Sequence, residues 1–204
     1  NNLIDWGLKI LLFIIVTTQL GVQTSAFVAI IGAAGLAIGL ALQGSLSNFA
    51  GGVLVLTLKP FKIGDFITTS NDVAGTVVLI DIFNTKIKTP QNQLVIVPNG
   101  ALSNSNITNY NELGIRRTWF DIGVSYNADL KQAKEVIAEV IKNNKFAHED
   151  PAPQIMITAL GDSAVNISVR VTTDNDDFWT MNEQLIMDCK TALENAGIEI
   201  PFPQ

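Results

Sequence analysis

Hydrophobic and polar positions divide the chain into two regimes. Asp5 and Lys9 are the last charges before Lys59, so nothing ionisable lies between Ile10 and Leu58. Such a stretch suits lipid or a dry protein interior. Asn2 to Leu20 reads as one span, wholly apolar from Ile10 to Val16, and Gly21-Val22-Gln23-Thr24-Ser25 as a turn. Ala26 to Gln43 reads as a second helix, about 27 Å long and close to a hydrocarbon core of about 30 Å. Thr24 or Ser25 is placed to cap its start.

That second helix is small-grained. Gly32, Ala33, Ala34, Gly35, Ala37, Gly39 and Ala41 leave bulk only at Leu36, Ile38, Leu40 and Leu42. Small residues at helical spacing let backbones approach closely. Leu36 and Leu40 share one face, Ala33 and Ala37 a second, Gly35 and Gly39 a third. If copies stand around an axis, Ala of one helix seats against Gly of the next. The leucines then form two apolar rings that stop ions by dewetting. A lipid anchor packed through Gly and Ala, without a pore, fits the same pattern.

Gly44 is expected to interrupt the helix and kink it at Gln43-Gly44-Ser45. Beyond it Leu46, Phe49, Val53 and Leu56 make 45–58 an amphipathic segment suited to a membrane surface; a plain continuation of the span is the alternative. Gly51-Gly52 would loosen either. Pro60 ends the helix. Lys59 and Lys62 put that end in the cytoplasm and the turn near Gln23 outside.

From Lys59 the pattern changes to short alternating runs. Phe66–Thr69, Gly75–Ile80, Ile82–Lys88 and Gln93–Val97 read as strands, punctuated by Asn71-Asp72, Pro90-Gln91-Asn92 and Pro98-Asn99-Gly100, and 59–112 as a small all-β domain. In 113–204, Arg116–Ser125 alternates. Asn127 is placed to cap a helix with a stripe at Leu130, Ala133, Val136, Ile137, Val140 and Ile141. Strands at Gln154–Leu160 and Val165–Val171 follow. A helix carrying Phe178, Met181, Leu185, Cys189, Ala192 and Leu193 closes at Gly197, and Ile198–Ile200 starts another strand. The order β-α-β-β-α is a ferredoxin-like pattern, which by itself implies no function. The fold class read is a membrane α-helical region (1–58) with a cytoplasmic α+β part.

The run GAAGLAIGLALQGSLSNFAGGVLVLTLKPFKIGDFI, followed by AGTV at Ala74–Val77 and VIVPNG at Val95–Gly100, resembles the family of the mechanosensitive channel of small conductance. The resemblance extends from about Ala26 to the end of the chain. It implies a homo-heptameric channel gated by membrane tension, in the inner membrane of a bacterial cell. It places the pore-lining leucine rings on Leu36 and Leu40 and the packing partners on Ala29, Ala33, Ala37, Gly35 and Gly39. It puts the kink on Gly44 and a second pliable point on Gly52. Phe49 is larger than the apolar residue usual there and should alter coupling to its neighbours. The resemblance also implies a further span before this chain and a short barrel after it, so the sequence reads as a piece of a longer protein.

Composition narrows the chemistry. The net charge is −6, with every charge except Asp5 and Lys9 beyond Leu58, and Arg116-Arg117 is the only adjacent basic pair. That argues against nucleic acid as a partner and leaves the bilayer, copies of the chain and permeating ions and small solutes. No cofactor, metal or catalytic residue is expected. His148, the one histidine, reads as a solvated loop residue. Asp174, Asp176 and Asp177 lack the Gly and closing Glu of a calcium loop and suit a helix N-terminus. Cys189 reads as a buried small hydrophobe. A transporter would want ionisable residues at membrane depth. A membrane-tethered sensory or scaffold module remains the alternative to a channel.

Overall fold

A computed structural model describes residues 2–21 and 23–202, and of Asn2 and Leu3 the backbone alone. Val22 of the expected turn lies outside the described residues. The elements in order are α1 (Asn2–Gln19), α2 (Ser25–Leu58), β1 (Phe66–Thr69), β2 (Ala74–Ile80), β3 (Asn84–Lys88), β4 (Leu94–Pro98), α3 (Asn99–Ser103), β5 (Ile107–Asn109), β6 (Ile115–Val124), α4 (Leu130–Asn143), β7 (Gln154–Leu160), β8 (Val165–Asp174) and α5 (Phe178–Asn195). The first five strands form a sheet in the order β4-β3-β2-β1-β5 and the last three a sheet in the order β6-β8-β7.

The chain divides into two compact units, Asn1–Ile63 with Thr69–Ile107, and Gly64–Thr68 with Thr108–Gln204. Divisions at 58 and 112 were expected from the pattern changes. Within the first unit the second half of α2 is bonded to the segment that follows it, Asn48 accepting from the Gly100 N–H.

Helix α2 runs unbroken for 34 residues. The expected interruption at Gln43-Gly44-Ser45 does not occur. One glycine costs only about 1 kcal/mol in a helix interior, and opening the ladder among apolar side chains would strand N–H and C=O groups at several times that cost. Thr24 sits at the N-cap, but neither it nor Ser25 supplies the expected capping bond. The Thr24 hydroxyl instead lies 3.2 Å from that of Thr18 on α1. Thr17 and Thr18 also donate back to the carbonyls of Phe13 and Ile14 at 2.7–3.0 Å. This is how hydroxyls are satisfied on an apolar helix. At the other end Lys59 takes a left-handed conformation (φ 49°) and donates its N–H to the Val55 carbonyl at 2.9 Å. Pro60, which has no N–H to continue the ladder, follows.

The face of α2 that the first unit buries is not its apolar stripe. Gly51, Gly52 and Val55 are buried, while Leu46, Phe49, Val53 and Leu56 stay exposed. Asn48, three residues before Gly51, accepts from the Gly100 N–H at 3.0 Å. A Cβ on Gly51 would stand 2.5 Å from the Asn99 carbonyl oxygen, and one on Gly52 would overlap the Ile82 carbonyl oxygen and lie 2.8 Å from Asn99 Nδ2. The pair read as loosening the helix therefore lets it press against α3 and the β2–β3 turn. Pro98-Asn99-Gly100, read as a plain turn, is the start of α3.

Asn99 knots this seam. It is fully buried. Its N–H donates to the Phe83 carbonyl at 3.0 Å and its Nδ2 to the Asp81 carbonyl at 2.7 Å. Its Oδ1 accepts from the Thr85 hydroxyl at 2.8 Å. Strands β2, β3 and β4 pair antiparallel, with Ile80 opposite Thr85, Thr76 opposite Lys88 and Asn84 opposite Pro98. Phe49 meets Phe83, ring centroids 6.1 Å apart, so its larger ring does reach a neighbour.

In the second unit β6, β8 and β7 are antiparallel to their neighbours, with Val124 opposite Val165 and Ile155 opposite Val169. Together with α4 and α5 this is the split β-α-β arrangement expected. Val165, Ile167, Val169 and Val171 all face the core, as do Ala133, Ile137 and Ile141 of α4 and Met181, Leu185, Cys189 and Leu193 of α5. The cap of α4 is Asp129, not Asn127. The Asp129 carboxylate accepts from the N–H groups of Lys131 and Gln132 at 2.8 and 3.2 Å, satisfying donors the first turn leaves open. Ile198–Ile200 does not form a strand; a bond from the Ser125 N–H to the Glu199 carbonyl at 2.9 Å ties it to the end of β6. His148 lies in a loop as expected but is half-buried there, its N–H donating to the Thr172 carbonyl at 2.8 Å and its Nε2 3.5 Å from Asp174.

Two outcomes follow. Gly52→Ala overpacks the seam, and destabilisation of about 1–3 kcal/mol lowers the thermal unfolding midpoint of the solubilised protein; an unchanged midpoint contradicts the close approach. Burial first, and the neighbouring Asp188 second, push the Cys189 thiol up from 9.0 to about 12. An acid whose folded pKa is raised stabilises below its unfolded pKa, so this contribution is present below about pH 9 and is lost as pH rises toward 12. Maleimide at pH 8 is expected to label Cys189 only after denaturation, and rapid labelling of folded protein contradicts that burial.

Candidate pore helix

The N-terminal half of α2 has no cover within its own chain. Among the described residues α2 is the one helix long and apolar enough to cross a membrane, and none of its most apolar stretch is buried. Leu36 and Leu40 are 65% and 61% exposed. A Cβ added at Gly32, Gly35, Gly39 or Gly44 would meet nothing within 4 Å. Side chains this apolar are stable only against lipid or another apolar surface.

Helical geometry sorts the faces at about 100° per residue. With the mean direction of Leu36 and Leu40 as zero, Ala33 and Ala37 centre about 60° to one side. Gly35 and Gly39 centre about 100° to the other, with Gly32 between them and the leucines. Ala29, Ala33 and Ala37 form one ridge of spacing four, continued by Ala41, the kind of ridge that packs into a neighbour's groove. Ala29 itself drifts toward the leucine line. Phe27, Ile31 and Ile38 lie on the opposite side.

The position of α1 confirms that back face. Phe13 of α1 packs edge-on against Phe27, centroids 6.4 Å apart and planes at 87°. Helix α1 therefore touches α2 at Phe27, on the side roughly opposite the leucines, while Ile31 and Ile38 of that side stay exposed. On the bulky back Phe27 has a partner in the chain; the leucine stripe and the glycine surface beside it have none. Gly44 is open like Gly39, whereas Gly52 is packed, so the two glycines that the resemblance makes pliable sit in opposite environments.

Sequence reading gave no seam role to Asn48, which bonds Gly100 of α3, to Gly51, which leaves room for Asn99, or to Asn99, which bonds the β2–β3 turn and Thr85. One signal was present: Asn48, Gly51, Gly52 and Val55 fall at spacings of three, one and three, a single helix face. Asn99 carried none, because a buried amide in a turn-like tripeptide looks like any turn residue. No group of three or more His, Cys, Asp and Glu among the described residues is arranged to hold a metal ion.

The chain matches three family models in succession: transmembrane helices 2/3 of mechanosensitive ion channels over residues 7–43, the mechanosensitive ion channel beta-domain over 44–112, and the C-terminal region of the mechanosensitive ion channel MscS over 119–200. An uncharacterized MscS family protein of Synechocystis is 39% identical over all of this chain and 69% of its own length. The small-conductance mechanosensitive channel of Edwardsiella ictaluri is 41% identical over 84% of this chain and 60% of its own. The crystal structure of Helicobacter pylori MscS in its closed state superposes with a TM-score of 0.85 at 35% identity, covering 94% of this chain and 76% of that one. The chain spans about two thirds of the length of the curated relatives it matches. On these matches, and on a fold of N-terminal helices, β-domain and C-terminal α/β unit, the chain belongs to the MscS family.

Proposed function

We propose that copies of this chain surround an axis with α2 innermost, forming a channel that membrane tension opens to release ions and small osmolytes during hypo-osmotic shock. One observation carries the reading. Leu36 and Leu40 point away from α1 and lie between an alanine ridge and a glycine surface, all three uncovered in the single chain. In a ring, alanines of one α2 meet glycines of the next, and the leucines converge on the axis as a dry constriction. Tension favours whichever state occupies more bilayer area, so an open state of larger area gains population as tension rises.

In this reading the chain is multi-pass: α1, although α2 alone among the described helices is long and apolar enough by itself, spans beside it as a hairpin, supported by the match of residues 7–43 to transmembrane helices 2/3, and Lys59 and Lys62 mark the cytoplasmic side of an inner membrane. Seven copies follow the resemblance to the family. Gly44 serves as the point where α2 bends between states, since it is open on all sides while Gly52 is fixed. The family models and the channel name of the Edwardsiella relative support a channel over a tethered sensory or scaffold module.

Leu40→Ser removes apolar contact that contributes about 1.5–3 kcal/mol per copy when buried and wets the constriction. Patch recording under suction is expected to show opening at lower tension, and an unchanged threshold removes the gate from Leu40. Replacing Gly39 with Val obstructs sliding between neighbours. A raised threshold or loss of opening is expected there, and gating as easy as in the parent contradicts the alanine–glycine seam. Chain reconstituted in liposomes that passes no ions at any tension supports the tethered module instead.

A further inference from the structure

The chain has only three arginines, Arg116, Arg117 and Arg170. Among the described residues none of them forms an ion pair with a carboxylate, in a protein whose net charge is −6. Arg116 is used up structurally: its guanidinium lies 3.7 Å from the Phe178 ring centroid and 4.9 Å from that of Tyr110. Arg117 and Arg170 are placed differently. Both stand on the face of the three-stranded sheet opposite the core, Arg117 across from Thr172 and Arg170 across from Trp119. They are therefore diagonal neighbours on adjacent strands, roughly 7–8 Å apart at their Cα atoms.

Each guanidinium is pre-oriented by a neutral group. Arg170 lies 3.5 Å over the Trp119 ring centroid. Arg117 donates from Nε to the Thr172 hydroxyl at 3.3 Å. Stacking and one hydrogen bond fix the planes and leave both guanidiniums without an ion-paired carboxylate. Beneath them Arg170 Nε and the Ser168 hydroxyl are buried without a partner, although buried donors normally find one. Trp119 remains 64% exposed. Asp121, across from Ser168, is the carboxylate on the same strand face and, like Arg117, a diagonal neighbour of Arg170, on the other side of Trp119 and with no ion pair to it.

We propose that this face is a binding site for a small doubly charged oxyanion, of the phosphate or phosphate-ester class, held by Arg117 and Arg170 with Trp119 as its wall. Planar guanidinium forks match phosphate oxygens in pairs. Two of them at this spacing favour a dianion over a singly charged carboxylate. The site is independent of the pore and stands whether or not α2 lines a channel.

The test uses the full chain in detergent, with Trp6→Phe and Trp179→Phe so that fluorescence reports Trp119 alone. The expected result is a saturable fluorescence change on adding inorganic phosphate, absent with potassium chloride at equal ionic strength. Arg170→Gln and Arg117→Gln are each expected to weaken apparent affinity at least tenfold while far-UV circular dichroism is unchanged. Arg170→Lys, which keeps the charge but not the fork, should recover only part of the loss. Arg116→Gln, outside the site, should bind as the parent does. An equal response to chloride, no saturable response, or phosphate affinity unchanged by both glutamine variants overturns the proposal.

Discussion

The structure depends on one constraint: a long helix without charge must bond its own backbone and find other surfaces for its side chains. Helix α2 meets the first demand with an unbroken ladder through Gly44. It meets the second only in part. Its back meets α1 at one ring pair, Phe13 against Phe27, and its last turns are packed at the seam against α3, while the leucines and glycines of its first half stay open. In water that apolar surface would cost roughly 25 cal/mol for every Å². Lipid would satisfy it anywhere, but lipid gives no reason for alanine and glycine to stand on either side of the leucines. A neighbouring copy does.

The same helix uses glycine in two ways. Gly32, Gly35 and Gly39 leave room that nothing in the chain fills, so surfaces there remain free to slide. Gly51 and Gly52 leave room that Asn99 and Ile82 fill at once. With Asn48 on Gly100 and Asn99 bonded to Asp81, Phe83 and Thr85, the second half of α2 moves only with the β strands it is sewn to. The bend proposed at Gly44 falls between the open half and the anchored one, and Gly52 lies within the anchored half.

Much of this was legible in the sequence. The uncharged run gave α2, the stripes of α4 and α5 gave the second core, and strict alternation from Val165 gave β8, because each is a periodic pattern imposed by burial. The assignments that failed were local and non-periodic. Asp129 outcompeted Asn127 as a cap because its carboxylate reaches two N–H groups. Ile198–Ile200 has alternation enough for a strand but makes a single ladder bond. The helix ladder runs on through Gly44, because one glycine costs a helix less than an opened ladder among apolar side chains. The seam at Asn48, Gly51 and Gly52 was hidden because the buried face is the less hydrophobic one, so a reading keyed to apolar stripes chose the wrong side. The leucine direction relative to α1 needed coordinates, since the turn between the helices fixes it and periodicity does not.

The most direct measurement is a structure of the protein in lipid nanodiscs, read for the number of copies and for what Leu36 and Leu40 face. The account predicts a closed ring in which both leucines converge on the symmetry axis and Ala33 and Ala37 of one copy touch Gly35 and Gly39 of the next. Leucines turned toward acyl chains, or a chain that remains a single copy in the bilayer, would contradict it.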